Sequence, residues 1–184
     1  SLAEGLLDLR DGLGSVVGAD AFLGLRLEAE LLDGLLDLGI GRPDGFRECQ
    51  CDACAKLFDT GSDWSEKIWI FNRRVAERLH ASHPGGQVTM MSYILTARPP
   101  KTFTRFPANT CIMLTGTNEE DIAPWRGYEV PQGFTGYIYN WCPNLGTRYT
   151  PMRTPGFVER QVKRLAAHRI QSIYRDGPGQ LFGL

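Results

Sequence analysis

The residues best suited to chemistry are three thiols packed into six positions, Cys49-Gln50-Cys51-Asp52-Ala53-Cys54. Side chains this close can converge on one soft metal ion, and a zinc ion would need one further donor. His80, His83, Cys111 and Cys142 are the candidates for it. The usual zinc pattern is two separated Cys-x-x-Cys pairs, so a single compact cluster leaves a plainer role open: a loop held by a local disulfide or by thiol packing. A catalytic thiol is disfavoured, because no histidine neighbours the cluster in sequence. Structural zinc at Cys49, Cys51 and Cys54 is the one cofactor raised. The five cysteines are odd in number, which argues against a complete disulfide framework and fixes no compartment.

A second set of groups is acidic: Asp44, Glu119, Glu120 and Asp176, each just beyond a short apolar segment. Cleaving a glycosidic bond takes two carboxyl groups, one acting as acid and one as base or nucleophile. Asp-Gly is also an ordinary turn pair, and acidic residues are common in loops. Arg42 and Arg175 stand beside these positions, and guanidinium suits bidentate binding of a sugar carboxylate. Aromatic residues accompany them. Tyr137, Tyr139 and Trp141 alternate, which puts them on one face of a strand. Sugar rings present apolar C–H faces that flat rings bind well. Core packing competes as the role of Tyr137 and Tyr139; Trp141 and Tyr93, near strand ends, are best placed to wall a site.

Regular elements must hold these groups. Leu27, Leu31, Leu32 and Leu35 recur at helical spacing, with Gly34 as a stop. Residues 6–17 lean toward helix but are interrupted by glycines. Leu35 to Ile40 reads as a short strand ending in turn residues. The clearest helix spans Asp63 to Ser82, with Trp64, Ile68, Phe71, Val75 and Leu79 on one stripe, Ser62 as its cap and Pro84 beyond it. Asn72, flanked by that stripe, is expected to tie the helix to a loop. Strands are predicted at 88–95, 110–115, 134–141 and 170–174, and a helix at 157–168 with Val158, Val162 and Leu165 inward. A short irregular helix fits Glu119 to Trp125.

Strands alternating with helices imply parallel βαβ units, and the doubly apolar run Cys111 to Leu114 suits a strand buried on both faces. The fold class is α/β, a partial (β/α)8 TIM-type barrel with parallel strands. Its 184 residues are fewer than the roughly 250 of a whole barrel. In such barrels, catalytic groups come from the strands' C-terminal ends and the loops beyond. Asp44, Glu119, Glu120 and Asp176 all follow predicted strands. No repeat or linker divides the chain, so residues 1–184 form one domain, a segment of a larger barrel. Apolar content of 42% and charged content of 22% predict a packed core. A formal net charge of -1 gives no footing for nucleic acid or an anionic membrane as partner, and no apolar run reaches the roughly 20 residues of a bilayer span. The start, Ser1-Leu2-Ala3-Glu4, lacks Met and carries no signal peptide pattern, which fits a piece of a longer polypeptide.

From Leu38 to Pro100 the order is strand, Asp44-Gly45, Cys-x-Cys-x-x-Cys, Gly61-Ser62-Asp63, a helix with Phe71-Asn72 and Val75-Ala76-Glu77, Pro84, then a strand ending Ser92-Tyr93 before Pro99-Pro100. This resembles a bacterial family catalogued as a domain of unknown function, whose members look like TIM barrels related to α-glucuronidases and form parts of larger carbohydrate-related proteins. Pro107-Ala108-Asn109 continues the likeness, which covers about residues 35–176. It marks Asp44, Cys49, Cys51, Cys54, Asn72 and Tyr93. The resemblance implies a carbohydrate substrate and a glycosidase, α-glucuronidase-like, acting on a polysaccharide that contains uronic acid. Two other expectations stand beside it: a non-catalytic carbohydrate-binding barrel, and a structural domain with a zinc-binding cysteine loop.

Overall fold

The computed structural model describes residues 26–32, 35–41, 45–138 and 154–175. The chain runs β1 (Arg26–Leu32), β2 (Leu35–Gly41), α1 (Asp52–Lys56), α2 (Trp64–Ser82), β3 (Gln87–Ser92), β4 (Thr110–Leu114), α3 (Glu119–Ile122), β5 (Phe134–Ile138), α4 (Pro155–Ala167) and β6 (Ile170–Arg175), with short 3-10 turns between some of them. All six strands form one sheet in sequence order. β2 to β6 are mutually parallel. β1 is antiparallel to β2, with Leu32 opposite Leu35.

β1 corrects the sequence reading, which takes Leu27 to Leu35 as a helix. Leucines at 27, 31, 32 and 35 satisfy helical spacing, but only two residues, Asp33-Gly34, join Leu32 to Leu35. Asp-Gly between apolar runs is a strong hairpin signal. The pairing of seven residues along β2 outweighs an intrinsic helix preference of a few tenths of a kcal/mol per residue.

The core forms on one face of the sheet. Val88 and Met90, Ile112 and Leu114, and Ile138 point into it with Leu38 and Ile40. Trp69, Phe71, Val75, Ala76 and Leu79 from α2 and Leu165 from α4 pack on them. Each Val, Leu, Ile, Phe or Met among them, fully buried, contributes about 1.5–3 kcal/mol. The α2 stripe is buried as its spacing predicts, but the cap is Asp63, whose carboxylate accepts from Glu66 N at 3.1 Å, and not Ser62. On α4, Leu165 is buried as expected and Val158 half-buried, but Val162 is exposed and Gln161 is buried instead. The reason is polar: Gln161 Nε2 donates to Thr117 Oγ1 at 2.7 Å.

β3 stops at Ser92, short of the expected 95. Ser92 Oγ donates to the Thr96 carbonyl at 3.0 Å, and Thr96 Oγ1 donates to the Met91 carbonyl at 3.0 Å. These hydroxyls close a tight turn, Ile94–Thr96, in which Ile94 takes a left-handed φ of 49°. The irregular stretch that follows is pinned to α2. Glu66, nearly fully buried, accepts from Lys101 N at 2.7 Å, from Thr102 N at 3.0 Å and from the Thr102 hydroxyl. Trp69 Nε1 donates to the Arg98 carbonyl at 2.8 Å, and Asn109 Nδ2 to the Ala76 carbonyl at 3.0 Å. Asn72 is also buried, and its Oδ1 has no hydrogen-bond partner among the described residues. Among the described residues no helix is long and apolar enough to cross a membrane.

Candidate functional site

Parallel strands bring their C-terminal ends to one edge, so the segments after β2, β3, β4, β5 and β6 share a rim. The segment after β2 carries the cysteines. Phe46 packs its ring on Trp64 with centroids 5.9 Å apart, which seats this loop on the start of α2. Cys51 is the N-cap of the one-turn helix α1. Cys49 Sγ donates to Cys51 Sγ at 3.3 Å, and the three Sγ atoms of Cys49, Cys51 and Cys54 all lie within 4.8 Å of one another. These three cysteines can hold a metal ion. Cys54 is buried, Cys49 half-buried and Cys51 exposed.

The three thiols are not equivalent. The Cys51 thiol is held below its ordinary range, first by the backbone N–H of Cys54 and next by the Cys49 thiol. Burial, then the neighbouring Cys49 and Cys51, push the Cys54 thiol up to about 12. Of the candidate fourth donors, His80 stands in the last turn of α2 and His83 is its C-cap. A helix of 19 residues is about 28 Å long, so both sit far from the loop at the start of α2. Cys111 is buried in β4 opposite Thr89. Cys142 lies outside the described residues.

The far end of the rim is aromatic. Gly136 and Ile138 face α4 and the core: a Cβ on Gly136 would lie 3.9 Å from Leu165. Alternation therefore turns Tyr137 to the opposite face. There it meets Tyr174, its ladder partner on β6, with ring centroids 4.9 Å apart and planes at 31°. Tyr137 is half-buried and Tyr174 is 55% exposed. Both are the penultimate residues of their strands. Sequence reasoning singles out Tyr137 but overlooks Tyr174, whose signal is its equal distance from a strand end. Tyr93, directly after β3, is half-buried.

The acidic candidates divide. Glu119 is held by two side chains: Arg126 Nη2 donates to its Oε1, and His168 Nε2 lies 2.7 Å from its Oε2. The hydrogen bond from His168, followed by that residue's charge and the Arg126 guanidinium, holds the Glu119 carboxyl below its usual range. His168 is two residues before β6, so this contact sits beside the start of that strand and not beside Tyr137 and Tyr174. Glu120 is exposed, and its backbone carbonyl accepts from Arg98 Nη1 at 2.9 Å. Arg42, Asp44, Trp141 and Asp176, and the side chain of Arg175, lie outside the described residues. In sequence, Asp44 comes three positions after β2 and Asp176 directly after β6.

A family model described as a domain of unknown function (DUF4838) matches residues 35–180. No curated protein matches the chain, and no solved structure does.

Proposed function

The chain belongs to the DUF4838 domain family, and on that footing we propose a carbohydrate-active, glycoside-hydrolase-like domain that takes a uronic-acid-containing polysaccharide at the C-terminal rim of its parallel sheet. One observation carries the proposal: Tyr137 and Tyr174 form an aromatic pair at two adjacent strand ends, on the sheet face opposite to the one on which α4 packs. Rings presented this way match the C–H face of a sugar. In the proposal Tyr93 and Trp141 extend that wall, and Arg42 and Arg175 bind the sugar carboxylate through paired N–H donors.

The strand order supports a barrel-type reading, a partial (β/α)8 barrel, because parallel neighbours in sequential order are what a closed barrel requires. Curvature also bears on catalysis. β2 and β6 are four strand spacings apart, about 19 Å along a flat sheet. Carboxyl pairs that cleave glycosidic bonds stand about 5–10 Å apart. Asp44 after β2 and Asp176 after β6 can act as acid and base only across a strongly curled sheet. Glu120 is the alternative partner, whereas Glu119 is committed to Arg126 and His168. That commitment favours, as a second reading, a barrel that binds glycan without cleaving it. In both readings Cys49, Cys51 and Cys54 hold a structural zinc that shapes the loop after β2.

The test is calorimetric titration of the protein with oligosaccharides with and without uronic acid, together with hydrolysis assays on the same oligosaccharides. Binding of a uronic-acid oligosaccharide that weakens in Tyr174→Ala is expected. No binding to any of them defeats the proposal. Binding without hydrolysis, unchanged in Asp44→Asn, selects the non-catalytic reading.

A further inference from the structure

Lys67 is fully buried, and it is the only buried lysine of the four in the sequence. Its ammonium donates to the Leu57 carbonyl at 2.9 Å, to Thr60 Oγ1 at 2.7 Å and to the Ala55 carbonyl at 3.4 Å. Three acceptors around one nitrogen call for three N–H donors, which only the charged form has. All three acceptors are neutral, and among the described residues no carboxylate pairs with it. The buried Glu66 of the same helix turns instead to Lys101 and Thr102. A buried charge without an opposite charge costs several kcal/mol. The carbonyls at the end of α1 recover part of that through the helix dipole, but a helix of five residues makes a weak one.

The missing negative charge has a source in the same loop. Ala55, whose carbonyl Lys67 touches, directly follows Cys54. When three thiols bind a divalent ion they release three protons to solvent, and the resulting centre carries one net negative charge. We infer that Lys67 is the buried counter-ion of an anionic metal–thiolate centre formed by Cys49, Cys51 and Cys54, a positioning residue that favours a divalent ion on three thiolates over three neutral thiols. The inference rests on the metal reading of the cysteine loop and adds to it the charge of the loaded site. The loop from Ala55 to Thr60 supplies all three acceptors, and within it Phe58 and Asp59 take left-handed φ values, 59° and 54°.

Two measurements test it, both on reduced protein with zinc chloride as probe. In the wild type with nitrogen-15-labelled lysine, the Lys67 Nζ signal stands apart from the three solvent-exchanging lysines. One equivalent of zinc is expected to shift it. In Lys67→Gln, which keeps hydrogen bonding and removes the charge, zinc affinity measured against a chromophoric chelator should fall about tenfold or more, the scale of losses at outer-shell partners of metal ligands. Lys67→Arg should retain more of that affinity than Lys67→Gln. Zinc binding by the wild type with an unmoved Nζ signal, or with equal affinity in Lys67→Gln, overturns the inference and leaves the metal site standing. No zinc binding by the wild type removes both. The nuclear magnetic resonance arm decides the matter if Lys67→Gln fails to fold.

Discussion

Tyr137 and Tyr174 sit opposite each other on neighbouring parallel strands, rings 4.9 Å apart, on the face of the sheet opposite to the one on which α4 packs. A pair serving the hydrophobic core would point toward α4, where Gly136 and Ile138 do. Tyr174→Ala is accordingly expected to weaken glycan binding about tenfold, roughly 1.4 kcal/mol, with little change in melting temperature. A large loss of stability with unchanged binding would assign the pair to packing.

The cysteines should differ in reactivity. With its pKa lowered, Cys51 presents more thiolate at neutral pH than Cys54, whose thiol is pushed up to about 12. Iodoacetamide followed by peptide mass spectrometry should find Cys51 modified well before Cys54, and zinc should slow both. Cys54 labelled first would contradict the burial of its thiol.

Glu66 makes a sharper stability prediction. Its carboxylate satisfies the backbone N–H groups of Lys101 and Thr102, so Glu66→Ala strands two donors where water is scarce. The expected cost is about 3 kcal/mol by urea denaturation. A change under about 0.5 kcal/mol, the scale of ordinary surface substitutions, would show that the stretch after β3 does not depend on this anchor.

Asp63 gives the pH dependence. Hydrogen bonding from Lys101, whose Nζ lies 2.5 Å away, and from Glu66 N holds its carboxyl below the ordinary value. An unfolded aspartate titrates near about 3.9, so the stabilisation is complete above about pH 5 and is lost as pH falls through the lower folded pKa. Lys101 is raised by the same hydrogen bond, so its share is complete below about pH 10 and is lost as pH rises through the folded value. Asp63→Asn keeps an N-cap and removes the charge pair. The stability difference between wild type and Asp63→Asn should be flat between those limits and shrink at acid pH; a difference that grows below pH 4 would contradict the assignment.

Much of the frame is legible before any coordinates. Trp64, Ile68, Phe71, Val75 and Leu79 reveal α2 because a long stripe has few alternatives, and Cys111 to Leu114 reveals a strand buried on both faces. Leu27 to Leu35 misleads because short leucine-rich segments satisfy both periods, and only pairing with β2 decides. Gln161 is unreadable from sequence, since its reason for burial is a hydroxyl 44 positions earlier. At the site, the thiols announce themselves by spacing alone. The commitment of Glu119 to His168 spans 49 positions and leaves no local trace.

The strand order has one further consequence, for the way this sheet is made. Among the described residues, each strand after β1 pairs with the strand synthesised just before it. A chain leaving the ribosome N-terminus first can therefore add each strand to an edge already present, without waiting for a distant partner. Only the β1–β2 hairpin closes a short loop; each parallel pairing after it closes a crossover, so the hairpin is the pairing that costs least loop entropy and the natural starting edge.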